Sequence, residues 1–321
     1  MRLLTFDELT APMQAERLAI HLASLGGATD RRAVGLWRRR SDLYADYVGV
    51  FAVEGGHVLG QTYVKRLAYT FADGTETVGA IASVGTHPGR ARHGVARRIL
   101  EEVHRREREA GLRYVSLWTN RSWGAHHLYE SLGYRDVYPV PWGVLPHGAR
   151  PSGRKRGRGV SPGRREDLPE LDRFHETRAR ARLGFCHRPR RFLEILGTLR
   201  ELDPEKELLV VRDRHGIRGY ALVEREATRM LCGELLADTP RVQRLLVAEV
   251  ERRSRGAAVA FVLSAASDAR SLLRRRGYRG LDAGWYVYMA CDLRERWSER
   301  AARRRFDTLD RRFLCMQSDR F

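Results

Sequence analysis

The chain has 321 residues, of which 43% are hydrophobic and 9% aromatic, so it can bury substantial cores and suits two domains of about 150 residues each. Its 59 basic and 40 acidic residues give a formal net charge of +19, which favours polyanionic partners over polycations. The four cysteines lack metal-ligand spacing and no apolar run is long enough to cross a membrane, so we expect a cytoplasmic protein without a metal site or membrane contact.

The first 145 residues combine helical and strand-like patterns. Apolar residues recur at helical spacing up to Gly26, and the hairpin signals Gly55-Gly56 and Asp73-Gly74 separate three strand-like runs. Together they indicate a mixed α/β domain. The predicted elements are a helix at 7–26, strands at 47–53, 58–67 and 77–86, a helix at 94–110, a strand at 114–118, a helix at 122–132, and an extended segment after Gly133.

The segment 146–163 separates two halves of similar design. It is rich in Gly, Pro and Arg and contains no acidic residue, so it cannot bury enough apolar surface to offset the cost of ordering. We interpret it as an exposed linker, and prefer this to the alternative that its basic run binds nucleic acid.

The second half, 164–293, repeats the order of elements more weakly, and 294–321 forms a basic tail. Gly-Tyr-Arg follows a helix at 133–135 and again at 277–279, which indicates an internal duplication; chance agreement of two α/β domains is the alternative. The predicted elements are a helical region at 166–200, strands at 207–212, 219–225 and 230–236, a helix at 241–255, a strand at 257–263, a helix at 268–275, and a closing strand at 285–293.

The strongest local pattern is the segment 84–104, VGTHPGRARHGVARRILEEVH. A strand ends at His87-Pro88, a loop of Arg and Gly follows, and an amphipathic helix begins after Gly94. The first N–H groups of such a helix attract anions, and a glycine lets the backbone approach them closely. Arg90, Arg92 and Arg97 add positive charge, so the segment predicts a pyrophosphate site.

This segment resembles the CoA-binding loop of the GNAT superfamily of N-acetyltransferases, Arg/Gln-x-x-Gly-x-Gly/Ala. Residues 91–96 read Ala-Arg-His-Gly-Val-Ala, so the Gly and the final Ala match, whereas Ala91 replaces the leading Arg or Gln. A second motif, Asn-x-x-Ala-x-x-Leu-Tyr-x-x-x-Gly-Phe/Tyr, resembles residues 122–134, with Ser122 in place of Asn. The resemblance implies two tandem GNAT-like domains, each a mostly antiparallel sheet flanked by helices.

The resemblance also implies acetyl-CoA as a substrate and assigns roles to particular residues. Tyr129 matches the tyrosine that protonates the departing thiolate. The implied acetyl-CoA contacts are Val84, Gly85, Thr86, Arg92, His93, Gly94, Val95, Ala96, Arg97 and Ser122. The second half lacks this loop, since 237–243 reads ADTPRVQ, and Leu273 takes the place of Tyr129. We therefore expect it to be a degenerate copy, in a tandem arrangement similar to that of Eis-like acetyltransferases.

The expected function is transfer of an acetyl group from acetyl-CoA to a primary amine of unidentified class by direct attack. The general base is not evident. His87 is the nearest titratable group, although a structural turn histidine is the alternative, and in Eis-like enzymes the C-terminal carboxylate, here Phe321, is a candidate. Further candidates are His126 and His127 as bases, and Asp42 and Asp46 as acids facing the amine, for which a solvated surface role is the preferred alternative. The competing interpretation is a non-catalytic CoA-binding or RNA-associated basic module.

Overall fold

A computed structural model describes residues 1–25, 48–149, 159–179, 187–188, 191–198, 202–263 and 269–306. These residues form two mainly antiparallel sheets with helices packed on them, which confirms the expected mixed α/β architecture. None of the helices in these ranges has the length and apolar character that a membrane span requires.

The first sheet has seven strands in the described ranges, in the order β1-β2-β3-β4-β5-β13-β6. Helices pack on both faces of this sheet. Alternate residues of β2 point to opposite sides, so Val50 lies in the core on one face and Phe51 in the core on the other. The strands are β1 (Arg2–Leu4), β2 (Val48–Glu54), β3 (His57–Phe71), β4 (Gly74–Thr86), β5 (Tyr114–Asn120), β6 (Arg135–Val140) and β13 (Tyr286–Asp292).

The second sheet has six strands in the described ranges, in the order β7-β12-β11-β10-β9-β8. Like the first sheet, it contains one parallel pair, β11 with β12, beside antiparallel neighbours. The strands are β7 (Trp142–Leu145), β8 (Val160–Pro162), β9 (Leu208–Asp213), β10 (Gly216–Arg225), β11 (Arg229–Ala237) and β12 (Ala258–Val262).

The helices follow the predicted order. On the first sheet, α1 covers one face and α2 with α3 the other. The helices are α1 (Ala11–Leu25), α2 (Val95–Glu109), α3 (Gly124–Ser131), α4 (Leu168–Ala179), α5 (Phe192–Thr198), α6 (Pro204–Glu207), α7 (Pro240–Ser254), α8 (Ala269–Arg275) and α9 (Glu299–Arg305).

The two halves exchange strands. β13, from the second half of the chain, lies between β5 and β6 of the first sheet and pairs antiparallel with both. In return β7, which follows β6 after Pro141, leaves the first sheet and pairs with β12 of the second. The expectation that 285–293 closes the second half is therefore wrong. The division of the chain into 1–145 and 164–293 stays a prediction, and each sheet contains residues from both parts. The predicted exposed linker 146–163 is wrong at its end, because residues 160–162 form β8 and pair with β9.

The helix ends at Gly133 and Gly277 have the same local structure. Both glycines have left-handed backbone, with φ of 97° and 88°. The next residue donates its N–H to the same relative position in each helix: Tyr134 to the carbonyl of Tyr129 at 3.1 Å, and Tyr278 to that of Leu273 at 3.0 Å. This is a glycine-terminated helix end in both cases. The structural match places Leu273 at the position equivalent to Tyr129.

Part of the C-terminal tail returns to the first sheet. α9 lies beside β6, and Phe306, which follows it, is fully buried against Phe71 of β3, with ring centroids 5.1 Å apart. Arg305 pairs with Asp73 and Glu76 at the β3–β4 hairpin. Residues 299–306 therefore hold that hairpin against the exchanged strand. Phe321, proposed from the sequence as a base, lies outside the described residues, as do Asp42 and Asp46.

Candidate functional site

The most distinctive local feature of the first sheet is a gap between its two parallel strands. β4 and β5 pair only from Val78 to Ala80 on β4 and then separate. Just beyond, Ser83 and Val84 together oppose the single residue Thr62 of β3, which is a β-bulge. Ser83 has φ of 53°, and the hydroxyl of Thr62 donates to the carbonyl of Ala82 at 2.9 Å.

A cleft of 740 Å³ opens at this separation. It passes from the α3 side of the sheet, where Leu117 and Tyr129 lie in one core, to the side of the second sheet, where Val140 and Val262 lie in another. Its size is in the usual range for small-molecule sites. The residues that line it are His21, Ser24, Ile81, Ala82, Ser83, Val84, Leu117, Trp118, Thr119, Trp123, Ala125, Tyr129, Val140, Trp142, Val262 and Tyr286.

The loop between β4 and α2 is exposed and ends at an uncapped helix. Gly94 precedes α2 with φ of 77°, and a Cβ added there would meet no atom within 4 Å. No side chain caps the helix, so the N–H groups of Val95, Ala96 and Arg97 face the loop without the hydrogen bond that a capping residue supplies. These N–H groups and the helix dipole form the kind of site that binds phosphate.

The arginines near this loop differ in what they contact. Arg97 donates to the hydroxyl of Ser131 on α3 at 2.7 Å, so it ties the start of α2 to the helix that carries Tyr129. Arg90 pairs with Glu54 at 3.7 Å. Arg92 has left-handed backbone, with φ of 66°, and no residue in the described ranges forms an ion pair with it.

The other residues expected to contact acetyl-CoA occupy several positions around the cleft and the loop. Val84 lines the cleft, whereas Gly85 and Thr86 pair with β3 at the end of the strand. His93 is exposed and its ring lies 2.9 Å from the carbonyl of Ala91. Ser122 is also exposed, and both its backbone N–H and its hydroxyl donate to the side-chain oxygen of Asn120.

Tyr129 projects from α3 to the wall of the cleft. Its side chain is only 6% exposed and its ring packs edge-on against Tyr134, with centroids 5.7 Å apart. Burial raises the pKa of Tyr129 to about 12, because the phenolate is poorly solvated there. No group in the part of the chain that the structure describes hydrogen-bonds its hydroxyl. The group is therefore protonated at neutral pH and able to donate into the cleft.

His87 and the two adjacent histidines on α3 do not line this cleft. His87 accepts the backbone N–H of Gly89 at 3.1 Å and faces a separate groove beside Glu16 and His57. His126 lies 2.9 Å from Asp136 and His127 lies 3.2 Å from Glu130. Each of these contacts gives the histidine a local structural role.

His21 is a titratable residue of the cleft that the sequence analysis missed. It lies on α1, half-buried, and its Nδ1 is 3.5 Å from the amide nitrogen of Gln61. Burial first, and then the charge of Arg17, lower the pKa of His21 below its usual value. Its imidazole is therefore neutral at pH 7. The sequence gives no signal for it, because a single histidine on an amphipathic helix shows its position only once α1 is placed on β4.

The second half differs at the equivalent helix start. Thr239 caps α7 by accepting the N–H of Val242, and Pro240 occupies the first turn. Asp238, beside the cap, pairs with Arg218. This helix start is already capped and carries a carboxylate, whereas the start of α2 is open. Leu273, at the position equivalent to Tyr129, is fully buried.

Comparisons with known proteins find one matching family model. The family model described as acetyltransferase (GNAT) domain matches residues 17–137, which include the cleft strands, the loop and Tyr129. Among the curated proteins there is no match to the sequence. Residues 17–137 are therefore similar to a GNAT acetyltransferase domain, as expected from the two motifs.

The chain is also similar in structure to solved acetyltransferases. A GCN5-related N-acetyltransferase from Kribbella flavida is 19% identical, with a TM-score of 0.59 over 90% of this chain and 70% of that one. One from Anabaena variabilis is 13% identical, with a TM-score of 0.65 over 91% and 73%. Eis1 from Mycobacterium abscessus is 14% identical, with a TM-score of 0.56 over 92% and 74%. At these identities the similarity concerns the fold.

Proposed function

We propose that this chain transfers an acetyl group from acetyl-CoA to a primary amine in the cleft of the first half. One observation carries the proposal: the open N-terminus of α2 and Tyr129 lie on the same side of the gap between β4 and β5, tied together by Arg97 and Ser131. A long cofactor held by its phosphates at α2 can reach into the cleft beside Tyr129. The other side of the cleft is then left to the acceptor amine.

In this proposal the loop before α2 binds the pyrophosphate of acetyl-CoA, and the β-bulge orients its thioester. The N–H groups at the start of α2 hold the pyrophosphate, and Arg92 adds charge that no described carboxylate neutralises. Ser83 and Val84 are removed from regular pairing with β3 by the bulge. Their backbone is suited to receive the thioester carbonyl and to stabilise the oxyanion that forms there.

The chemical step requires two proton transfers. The amine nitrogen attacks the thioester carbon, a C–N bond forms, and the C–S bond breaks with its electron pair leaving on sulfur. Tyr129 gives its phenolic proton to that thiolate. The amine loses a proton on bond formation, and His21, neutral in the cleft, is the described side chain suited to accept it. Of the bases considered from sequence, Phe321 is tested separately by deleting that residue.

Cofactor binding tests the proposal directly. A ligand that binds only the folded protein stabilises it, so acetyl-CoA at 100 times its Kd should raise the Tm by about 5 °C. In Gly94→Glu a side chain would occupy the space beside the phosphates and bring negative charge, so we expect this shift to be lost. The measurement is thermal unfolding with and without acetyl-CoA, supported by calorimetric titration.

Gly111→Glu is the matched control, because Gly111 has φ of 87°, meets no atom within 4 Å of an added Cβ, and lies at the other end of α2. It shares the backbone strain but not the phosphate site. Equal acetyl-CoA shifts in the two variants would refute the proposed binding loop.

If His21 is the base, kcat/KM should depend on pH. A base must be deprotonated, so kcat/KM should fall as the pH drops through the pKa of His21, which burial places below its usual value. His21→Gln should lower kcat about 100-fold and remove this acidic limb of the profile. His127→Gln, an exposed histidine outside the cleft, is the control. A His21→Gln profile that keeps the acidic limb would assign the base elsewhere, and loss of activity on deleting Phe321 would indicate a role for that residue.

A further inference from the structure

The acceptor side of the cleft is walled by aromatic rings. Trp142 and Tyr286 are stacked, with centroids 4.9 Å apart and planes 23° from parallel. Trp123 packs edge-on against Tyr286 at 6.3 Å, and Trp118 lines the same space. These rings come from β5, the turn before α3, β7 and β13, which meet where the two sheets exchange strands. The stacked pair is preformed, so a ligand that packs on it does not have to order it.

The described residues of the lining include no carboxylate. Among its described residues the polar groups are hydroxyls, the imidazole of His21 and indole N–H groups; none is a carboxylate. Beside it, the guanidinium of Arg229 lies over the ring of Trp142 at 5.3 Å and is already paired with the carboxylate of Glu226. An acceptor with several ammonium groups would therefore find no carboxylate among the described lining residues for its extra charges, which is costly in a partly buried cleft.

Among the described aromatic residues of the lining, Trp123 has the ring most open to a ligand. Trp123 is 52% exposed although it lines the cleft, whereas Trp142 has Tyr286 and Arg229 over its ring. A planar group entering beside Trp123 gains a stacked or edge-on ring contact as well as apolar burial, and such contacts increase affinity about twofold to tenfold beyond the area buried. A flexible aliphatic chain gains only the burial.

From these observations we infer that the acceptor is an arylalkylamine: one aromatic ring, a short alkyl spacer and a single primary amine. This inference rests on the proposed function. The ring packs against Trp123, and the spacer carries the amine past His21 to the gap between β4 and β5. The class excludes polyamines and amino sugars with several amines as preferred acceptors.

The test compares three amines on the full chain: 2-phenylethylamine, 2-cyclohexylethylamine and 1,4-diaminobutane. The first two differ in aromaticity at similar size, and the third carries a second cation. CoA release gives kcat/KM, and calorimetry gives the Kd of each amine without turnover. We expect kcat/KM for 2-phenylethylamine to be about tenfold or more above that for 1,4-diaminobutane. It should be about twofold to tenfold above that for 2-cyclohexylethylamine.

Trp123→Leu should raise the Kd and KM for 2-phenylethylamine about twofold to tenfold and leave the acetyl-CoA shift in Tm unchanged. Trp285→Leu is the control, since Trp285 is 54% exposed but does not line the cleft. Preference for 1,4-diaminobutane, or equal effects of the two variants, would overturn the inference and leave acetyl transfer intact. Binding of 2-phenylethylamine that depends on Trp123, without CoA release from any amine, would support the aromatic site and refute the proposed function.

Discussion

Tyr129→Phe should lower kcat about 100- to 10,000-fold, while acetyl-CoA affinity stays nearly unchanged. The substitution keeps the buried ring and its edge-on contact with Tyr134 but removes the only proton that the side chain can give. A group that acts only as the thiolate departs affects the transition state and not the ground state, so the loss appears in kcat and kcat/KM alike. Steady-state kinetics with a saturating amine measure it.

Tyr134→Phe is the matched control for this experiment. Tyr134 is fully buried in the same core, but its hydroxyl contacts His104 at 2.8 Å and does not line the cleft. Loss of that hydrogen bond should cost about 1 kcal/mol of stability without changing kcat in the folded fraction. If Tyr129→Phe behaves like Tyr134→Phe, with lower stability and full turnover, the hydroxyl of Tyr129 has no role in the reaction.

A chain of residues 1–145 alone should not fold. It lacks β13, which pairs along all seven of its residues with β5 and also pairs with β6. Val287, Tyr288 and Met289 are fully buried, and each such side chain contributes about 1.5–3 kcal/mol. Their loss approaches the whole stability of a typical domain, about 5–15 kcal/mol. We expect circular dichroism and thermal scans to show no cooperative unfolding.

Two further chains complete this experiment. A chain of residues 1–306 keeps β13 and α9 and should unfold cooperatively, which controls for removal of the C-terminus. Adding residues 146–321 as a separate chain should restore structure to 1–145, because the missing strand is then supplied in trans. Cooperative unfolding of 1–145 alone, near the Tm of the full chain, would contradict the importance of the exchanged strand.

Local patterns predicted most elements of the fold correctly. The hairpin glycines and the periodicity of apolar residues located β3, β4 and α2 to within a few residues, because turns and amphipathic faces depend on neighbours in sequence. The exchange of β7 and β13 could not be read in this way. Tyr286 faces Asn120 across 166 positions, and a short apolar run does not identify which sheet it will join.

The site was predictable to a similar extent. The open start of α2 and the position of Tyr129 follow from motifs that each occupy one loop or one helix. His21 and the aromatic wall did not follow, because Trp118, Trp142 and Tyr286 lie in three separate segments that approach only through the strand exchange. When residues come together only through the pairing of distant strands, a single sequence contains no pattern that identifies them as one site.

The position of β13 also sets the order in which the protein can be completed on the ribosome. β6 ends at Val140 and β13 ends at Asp292, and at about 5–20 residues per second the intervening chain takes about 8–30 s to synthesise. During that time the facing edges of β5 and β6 have no partner, although both strands have already emerged. A nascent chain in this state can capture β13 from a neighbouring copy on the same messenger RNA, so we expect rapid expression to raise the proportion of swapped dimers.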